Sequence, residues 1–474
     1  MSGLFGALEI GKRALFASQT GLQVTGQNIA NANTPGYSRR VVEQSPASGV
    51  RLPEGVLGSG ADTHRIARSR DEHVETRLLR ARSDLGRATA RAQDLRELES
   101  LVGDLGDDTI SSGLRDFFDS WEELSLAPES MLLRQTAISS GAKIATRLNT
   151  LSNDLSGMRN RFLTEIPAEI DGVNAAVGRI AELSRRIGEV EAGGLEASDL
   201  RDQRGIEISR LSETIDVNVT EAANGSFLVR IGGVVIADGE RTLRISLATR
   251  ESDAAASASG GAGDAELRLS VEGVDVTPQG GTLAARLEAS RTLIPSYLSA
   301  LDEIAQGLAT SVNAIHEVSY SLDGKSGARF FETGVDGEMG ESAGAAARLR
   351  VASAIVNDAR ALAVSGNGSP GNNGGARGIA ELDSAPTQRG GTRSISDLAL
   401  AFSETVAADT AEATFLEEAG AGFVASLENR RDAVSGVSLD EEALNLIKYQ
   451  QAYEAAARVV SIANEMMETL LRGF

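Results

Sequence analysis

Three histidines, a few adjacent carboxylates and one dense charged run are the side chains of this sequence that could do chemistry. His64 and His73 lie nine positions apart, so they lack the i, i+4 spacing by which two helical histidines share a zinc ion, and no H-E-x-x-H occurs. His316 stands alone at the end of a helical pattern. There is no cysteine, which removes thiolate catalysis, disulfides and Cys-based zinc sites. Glu122-Glu123 and Glu441-Glu442 are carboxylate pairs of the kind an acidic composition produces. No phosphate-binding loop is present, and no G-x-G-x-x-G follows a strand pattern. The run Asp199-Leu200-Arg201-Asp202-Gln203-Arg204 reads as a solvated helix face with local ion pairs. The expectation is a protein that is not an enzyme, with no catalytic residue, cofactor or metal.

Composition points to scaffold. The 474 residues suffice for about two to four domains. Aromatics make up 4% and prolines number nine, while alanine and glycine abound, which favours long, closely packed helices. A net charge of −21 argues against nucleic acid or an anionic membrane as partner. No apolar run is long enough to span a membrane. Glu9, Lys12 and Arg13 fall where a secretory signal would carry its apolar core, so any export proceeds without a conventional cleaved signal.

The elements that carry the pattern are the two ends. Leu8, Leu15, Leu22 and Ile29 recur every seventh residue, with Leu4, Ser18 and Thr25 in the neighbouring row, the seam of a helix made to pack against a partner. Pro35 should stop that helix near Asn33. Gly6, Gly11, Gly21 and Gly26 each cost about 1 kcal/mol relative to alanine, so the segment is expected to be frayed in a free monomer and to order on assembly. At the other end Ser438 and Glu441 form a capping-box pattern, and Leu444, Ile447, Gln451, Ala455, Val459, Ile462, Met466 and Leu470 continue as a 3-4 seam. Matching seams suggest an antiparallel pair, in cis or within an assembly. Small residues (Gly21, Gly26, Ala30, Ala455, Ala456) would allow close approach.

Between them the chain divides into a long-helix domain at 68–215, an antiparallel β domain at 216–282 and a second helical half at 283–437, flanked by inner domains at 1–67 and 438–474. Helical periodicity covers 131–163, stops at Pro167 and resumes at 170–190, and a single helix is expected over 282–318. Phe117, Phe118 and Trp121 read as core, and Phe330-Phe331 falls in a loop. Asn224-Gly225 is a hairpin turn signal, and residues 253–263 are a low-complexity loop. Flexible loops are expected near 321–345 and 365–394, with 365–378 the most flexible-looking stretch. The fold class is mainly α with inserted β: paired terminal coiled-coil helices, a long-helix bundle and a small antiparallel β domain.

Leu22, Asn28, Ile29, Ala30, Asn31, Asn33, Thr34, Pro35, Gly36 and Tyr37, with residues 445–453 and Ala455-Ala456, resemble the ends of the flagellar rod, hook and hook-associated proteins. The 199–204 run, Gly281-Thr282-Leu283, residues 293–298, Leu301-Asp302, residues 312–316 and Phe330-Phe331 resemble hook-associated proteins of the hook-filament junction (FlgK type), and His316 matches a family position. The resemblance implies a structural subunit outside the cell, exported without signal cleavage, in a ring-like zone of its own copies. It also implies contacts with hook protein and a second hook-filament junction protein, and an export chaperone on the C-terminal helix. Asn28, Asn31, Asn33, Pro35 and Tyr37 then join the seam residues as polymerisation contacts. The alternatives are another axial protein, such as the hook protein, or a secreted coiled-coil adhesin. Hook protein is disfavoured because helical pattern fills most of 68–215 and 282–320, and an adhesin would not need the Asn-rich Pro-Gly-Tyr end.

Overall fold

The N-terminal heptads form helix α1 (Ser2–Ala30) in the computed structural model, which describes residues 2–472 except 53–54, 104–108, 195, 222–226, 239–240, 251–265 and 335–342. Strands β1 (Arg40–Pro46), β2 (Val50–Leu52), β3 (Gly55–Leu57) and β4 (Ala61–Arg68) follow, then helices α2 (Glu72–Val102), α3 (Ile110–Leu126), α4 (Met131–Glu191) and α5 (Ser198–Thr214). Next come β5 (Asn218–Glu221), β6 (Phe227–Ile231), β7 (Val234–Ala237), β8 (Ile245–Arg250), β9 (Glu266–Val271) and β10 (Val274–Val276). The chain continues with α6 (Gly281–Glu288), a π-helical turn (Ala289–Leu293), α7 (Ile294–Val318), β11 (Phe331–Glu332), α8 (Ala345–Arg348), β12 (Arg350–Val351), α9 (Ser353–Asn357) and α10 (Gly374–Ala380). It ends with α11 (Ile395–Ser435) and α12 (Leu439–Arg472). The expected turn at Asn224-Gly225 and loop at 253–263 lie outside the described residues.

Two compact units result: Met1–Asp84, Gly172–Arg244 and Gly420–Phe474 form one, and Leu85–Asp171 with Ile245–Ala419 the other. The fold is mainly α, with paired terminal helices and small antiparallel sheets. Residues 216–282 hold two separate three-stranded sheets, β5-β6-β7 in the first unit and β10-β9-β8 in the second.

In the second unit α3 starts from a capping box between Thr109 and Ser112 and buries Leu114, Phe117, Phe118, Trp121 and Leu124. Phe330 and Phe331 are core rather than loop, with Phe330 5.5 Å from Trp121 and 5.9 Å from Phe117, ring centre to ring centre. One proline was misleading. Pro167 lies inside α4, a continuous helix of 61 residues, or about 90 Å at 1.5 Å per residue. Its ring faces solvent, while Ile166, Ile170 and Val173 on the buried side hold the helix across the missing hydrogen bond. Pro295 is accommodated differently. The π-helical turn precedes it, and Ser290 O, which a residue at 295 would otherwise bond in π register, accepts from Arg159 Nε at 2.9 Å. The glycine-rich run at 365–378, expected to be flexible, is densely bonded: Asn372 Oδ1 accepts from Gly366 N at 2.7 Å and Gly374 N at 3.1 Å, and Asn373 Nδ2 donates to Ser125 O at 2.9 Å. Gly375 is required there by close approach, since a Cβ would lie 2.4 Å from Ser319 Oγ.

His316 is fully buried, with Nδ1 against Ala328 O and Nε2 accepting from Ala363 N at 2.9 Å. These bonds require a neutral ring with the proton on Nδ1. Burial pulls its pKa down to about 4, with the Ala328 carbonyl opposing. The folded pKa is therefore below the unfolded one. Stability is full above pH ~6.5 and falls as pH drops towards 4, because the unfolded chain takes up a proton the folded chain refuses. The expected loss is about 3 kcal/mol, read as a lower urea midpoint at pH 4.5 than at pH 7 that His316→Asn makes less pH-dependent. An unchanged pH slope in the variant would count against this assignment.

Candidate assembly surface

In the first unit, the sequence places an asparagine where the N-terminal helix ends and a glutamate where the C-terminal helix begins, and the fold brings them together. Asn28 is buried; its Nδ2 donates to Arg40 O at 2.9 Å and to Glu442 Oε2 at 3.2 Å. Its Oδ1 accepts from Tyr37 OH at 2.8 Å and from Arg40 N at 3.0 Å. One amide side chain thus ties together α1, β1 and α12. Glu442, 2% exposed, also accepts from Arg39 Nε at 2.8 Å, while Arg39 Nη1 pairs with Glu441 at 3.0 Å. Only half of the expected capping box forms: Ser438 Oγ accepts from Glu441 N at 3.4 Å, but the Glu441 carboxylate goes to Arg39. The turn between Asn31 and Tyr37 is held by Asn31 O accepting from Thr34 N at 2.9 Å, by Thr34 O accepting from Tyr37 N at 3.2 Å and by Thr34 Oγ1 donating to Asn31 Oδ1 at 3.2 Å. Gly36 has φ +77° and packs on Ile206 of α5.

The charged run of α5 is not a solvated face. Asp202 and Arg204 are 8% and 4% exposed. Asp202 Oδ1 accepts from Ser38 Oγ and Arg68 Nη1, both at 3.0 Å, and Asp199 pairs with Arg40. Arg201 grips Glu191 with two bonds of 2.6 and 2.7 Å and reaches Glu221 at 2.7 Å. Arg204 bonds Glu221 at 3.0 Å and stacks 4.0 Å over the Phe227 ring. Burial pulls Arg204 down to about 10 against the pull of Glu221. The Arg201 hydrogen bonds hold Glu191 below the usual carboxylate range, and burial raises Tyr37. These groups bond to one another, so the cluster clamps β1, β4, α4, α5 and β5 rather than presenting charge to a substrate. A groove of about 1750 Å³ runs beside it, between the 32–39 turn, α2 and α5. Among the described residues no group of three or more His, Asp and Glu could hold a metal ion.

Helices α1 and α12 pair in one chain and run antiparallel: Gly11 lies against Val460, Gly21 against Tyr449 and Asn28 against Glu442. A Cβ on Gly11 would lie 2.8 Å from Val460, and one on Gly21 2.6 Å from the Tyr449 ring, so these two glycines set the approach. Ala17, Ser18, Val24, Thr25, Ala456 and Ala463 are the other buried residues of the two helices. The small residues named from sequence are only partly those used: Gly26 meets nothing within 4 Å, and Ala30 and Ala455 are exposed.

The large-residue seams lie elsewhere. Leu8, Leu15 and Leu22 are half-buried and Ile29 is exposed. Leu444, Ile447, Val459, Ile462, Met466 and Leu470 are 43–69% exposed, and Ala455 lies among them. At 3.6 residues per turn this stripe sits roughly a third of a turn away from the α12 face that meets α1. Asn31 and Tyr37 are half-buried, and Asn33 and Pro35 are exposed on the turn. Sequence reading missed Arg39, Arg40, Glu442 and Tyr449. No local pattern marks them, because most of their partners are far away in the chain.

Residues 95–331, half of the chain, match the family described as "Flagellar hook-associated protein FlgK helical domain". Residues 8–37 match "Flagella basal body rod protein", and residues 432–473 match "Flagellar basal body rod FlgEFG protein C-terminal". The chain is similar to "Flagellar hook-associated protein 1" of Bacillus subtilis, 27% identical over 100% of this chain and 99% of the relative. The protein of that name from Escherichia coli is 22% identical over 96% of this chain and 97% of its own. The solved flagellar hook junction protein FlgK of Burkholderia pseudomallei shares the fold, with a TM-score of 0.65 and 13% identity over 76% of this chain and all of that one.

Proposed function

Because the chain belongs to the flagellar hook-associated proteins of the FlgK helical-domain family, we propose that it is a structural subunit of the bacterial flagellum at the junction of hook and filament. The family is structural, and the chain is not an enzyme. The observation that carries the reading is the apolar stripe of α12 through Leu444, Ile447, Val459, Ile462, Met466 and Leu470, turned away from α1 and left to solvent. A helix that buries its small residues on a partner in cis and exposes its large ones has a second surface to cover. Neighbouring subunits cover it, together with the half-buried Leu8, Leu15 and Leu22 row and the exposed Asn33 and Pro35.

Assembly is coupled to folding in this reading. In isolation α1 and α12 hold each other through a narrow, glycine-lined contact; docking of further copies adds the apolar burial that fixes both. Amide exchange on a dilute, verified monomer should show weak protection at 2–33 and 440–472 and strong protection in residues 110–160. Strong protection of both ends in the monomer would overturn coupled folding. Copies of itself in a ring-like zone, hook protein and the second hook-filament junction protein are the proposed partners, with an export chaperone on α12 before secretion. The proposed location is outside the cell, reached through the flagellar export route without cleavage. The domain division at 67, 215, 282 and 437 is kept as a proposal for functional segments.

A further inference from the structure

We infer that the contact of α2, α4 and α6 in the second unit holds a proton near neutral pH, and that Asp94 is the carboxyl that binds it. Arg161, Glu165 and Glu169 recur every fourth residue and so share one face of α4. Asp94 and Glu97 of α2 and Arg286 of α6 meet that face, which gathers four carboxyls around two guanidinium groups. The pairing is uneven. Arg286 binds two of the carboxylates, Glu165 at 3.0 Å and Glu169. Arg161 takes Glu97 at 2.7 Å near the solvent, where the two side chains are 45 and 43% exposed. Asp94 is left with no ion pair or side-chain hydrogen bond among the described residues, and its Oδ2 is buried without a partner. Glu169 Oε2 is buried without one too, although its other oxygen is held by Arg286.

A carboxylate taken from water without a partner is neutralised more cheaply than it is kept charged. Burial pushes Asp94 up to about 7; Glu97 on its own helix and Glu165 on α4 push the same way, while Arg286 on α6 and Arg161 on α4 oppose. Burial raises Glu169 as well, against the pull of Arg286. The folded chain therefore binds the Asp94 proton more tightly than the unfolded chain does. The stability this brings is full below pH ~4 and is lost as the pH rises through ~7. His316 works in the opposite sense over an overlapping range, because the folded chain refuses its proton. One group takes up a proton on folding and the other gives one up, so Asp94 offsets part of the acid loss that His316 imposes. The offset is incomplete, since His316 is fully buried and Asp94 is partly open to solvent.

The test is urea unfolding of the native full chain and of Asp94→Asn across this pH range. Trp121, the only tryptophan, lies in the second unit, so its fluorescence reports that unit. Asparagine keeps the shape of the neutral carboxyl and carries no charge. The variant's midpoint should exceed the native one by about 0.5 M urea or more at pH 8.5, and the two should converge at pH 4.5. The fall between pH 7 and 4.5 should accordingly be steeper in the variant. A gap of the same size at every pH overturns the proposal. Infrared spectra give a second readout. A carboxylic-acid carbonyl band of the native chain at pH 5.5 should fade as the pH is raised through 7. Glu165→Gln removes a neighbouring negative charge and frees Arg286, so it should move that fading to lower pH. A native chain without the band, or fading that Glu165→Gln leaves in place, overturns the proposal. A band that persists in Asp94→Asn assigns the proton to another carboxyl and overturns it as well.

Discussion

A chain with Ile462→Asp is expected to fold like the native one and to fail to hold a filament. Ile462 is 53% exposed on α12, so the substitution removes little intramolecular packing and should change monomer stability by no more than about 0.5 kcal/mol. In the proposed assembly the same position lies under a neighbour, where an aspartate would either stay charged without a partner or have to take up a proton. That costs at least about 3 kcal/mol at each contact, roughly a hundredfold in each association constant. Repetition around a ring compounds the loss. Leu22→Asp should act the same way from α1, with a larger cost to the monomer because Leu22 is half-buried. Circular dichroism and thermal melting report the first half of the expectation, and electron microscopy of hooks and filaments the second. Normal filament attachment in both variants would remove the seam from the mechanism.

Asn28→Ala should be the most damaging single polar substitution in the first unit. It leaves Tyr37 OH and Arg40 N without their acceptor and withdraws one of the donors to Glu442. Each of the two unsatisfied groups costs about 1–3 kcal/mol, and the melting temperature of a unit this size falls by about 2–4 °C per kcal/mol, so a drop of roughly 4–24 °C is expected. Asn28→Asp distinguishes hydrogen bonding from simple volume. It keeps the acceptor but sets a second carboxylate against Glu442, so its defect should be severe at neutral pH and ease as the pH falls towards ~4. A defect in Asn28→Asp that does not change with pH would show that the Glu442 contact is not what matters.

The helices were legible because their apolar spacing is long and regular: α2, α3, α5, α11 and α12 all stand close to where periodicity puts them. The pairing of the ends was also legible, but not the faces that pair. A heptad of large residues is the strongest pattern in α1 and α12, yet the residues that touch are Gly11, Gly21, Ala456 and Ala463, whose smallness is what permits contact and what makes them faint in a hydrophobicity pattern. Asp202 and Arg204 looked solvated because nothing near them in sequence reveals Ser38, Arg68 or Glu221. Pro167 misled because the cost of a missing N–H can be met by buried side chains on the same helix; at Pro295, where a single helix was expected, the chain stays helical through a π turn and a guanidinium takes the freed carbonyl.

The bond from Asn28 to Glu442 spans 414 positions. Its consequence lies in the order of events. The first unit is assembled from three separate pieces of chain, the last starting at Gly420, whereas the second is complete by Ala419. Loop closure over such a distance is slow and brings no stabilising contact until the final helix is available. A polypeptide emerging from its N-terminus can therefore complete its helical unit first, while its two ends stay loose until the last turn of α12 is free. In the proposed assembly, the helix that offers its apolar stripe to the next subunit is also the last piece of its own first unit to be supplied, which would time the subunit's adhesiveness to the moment of its arrival.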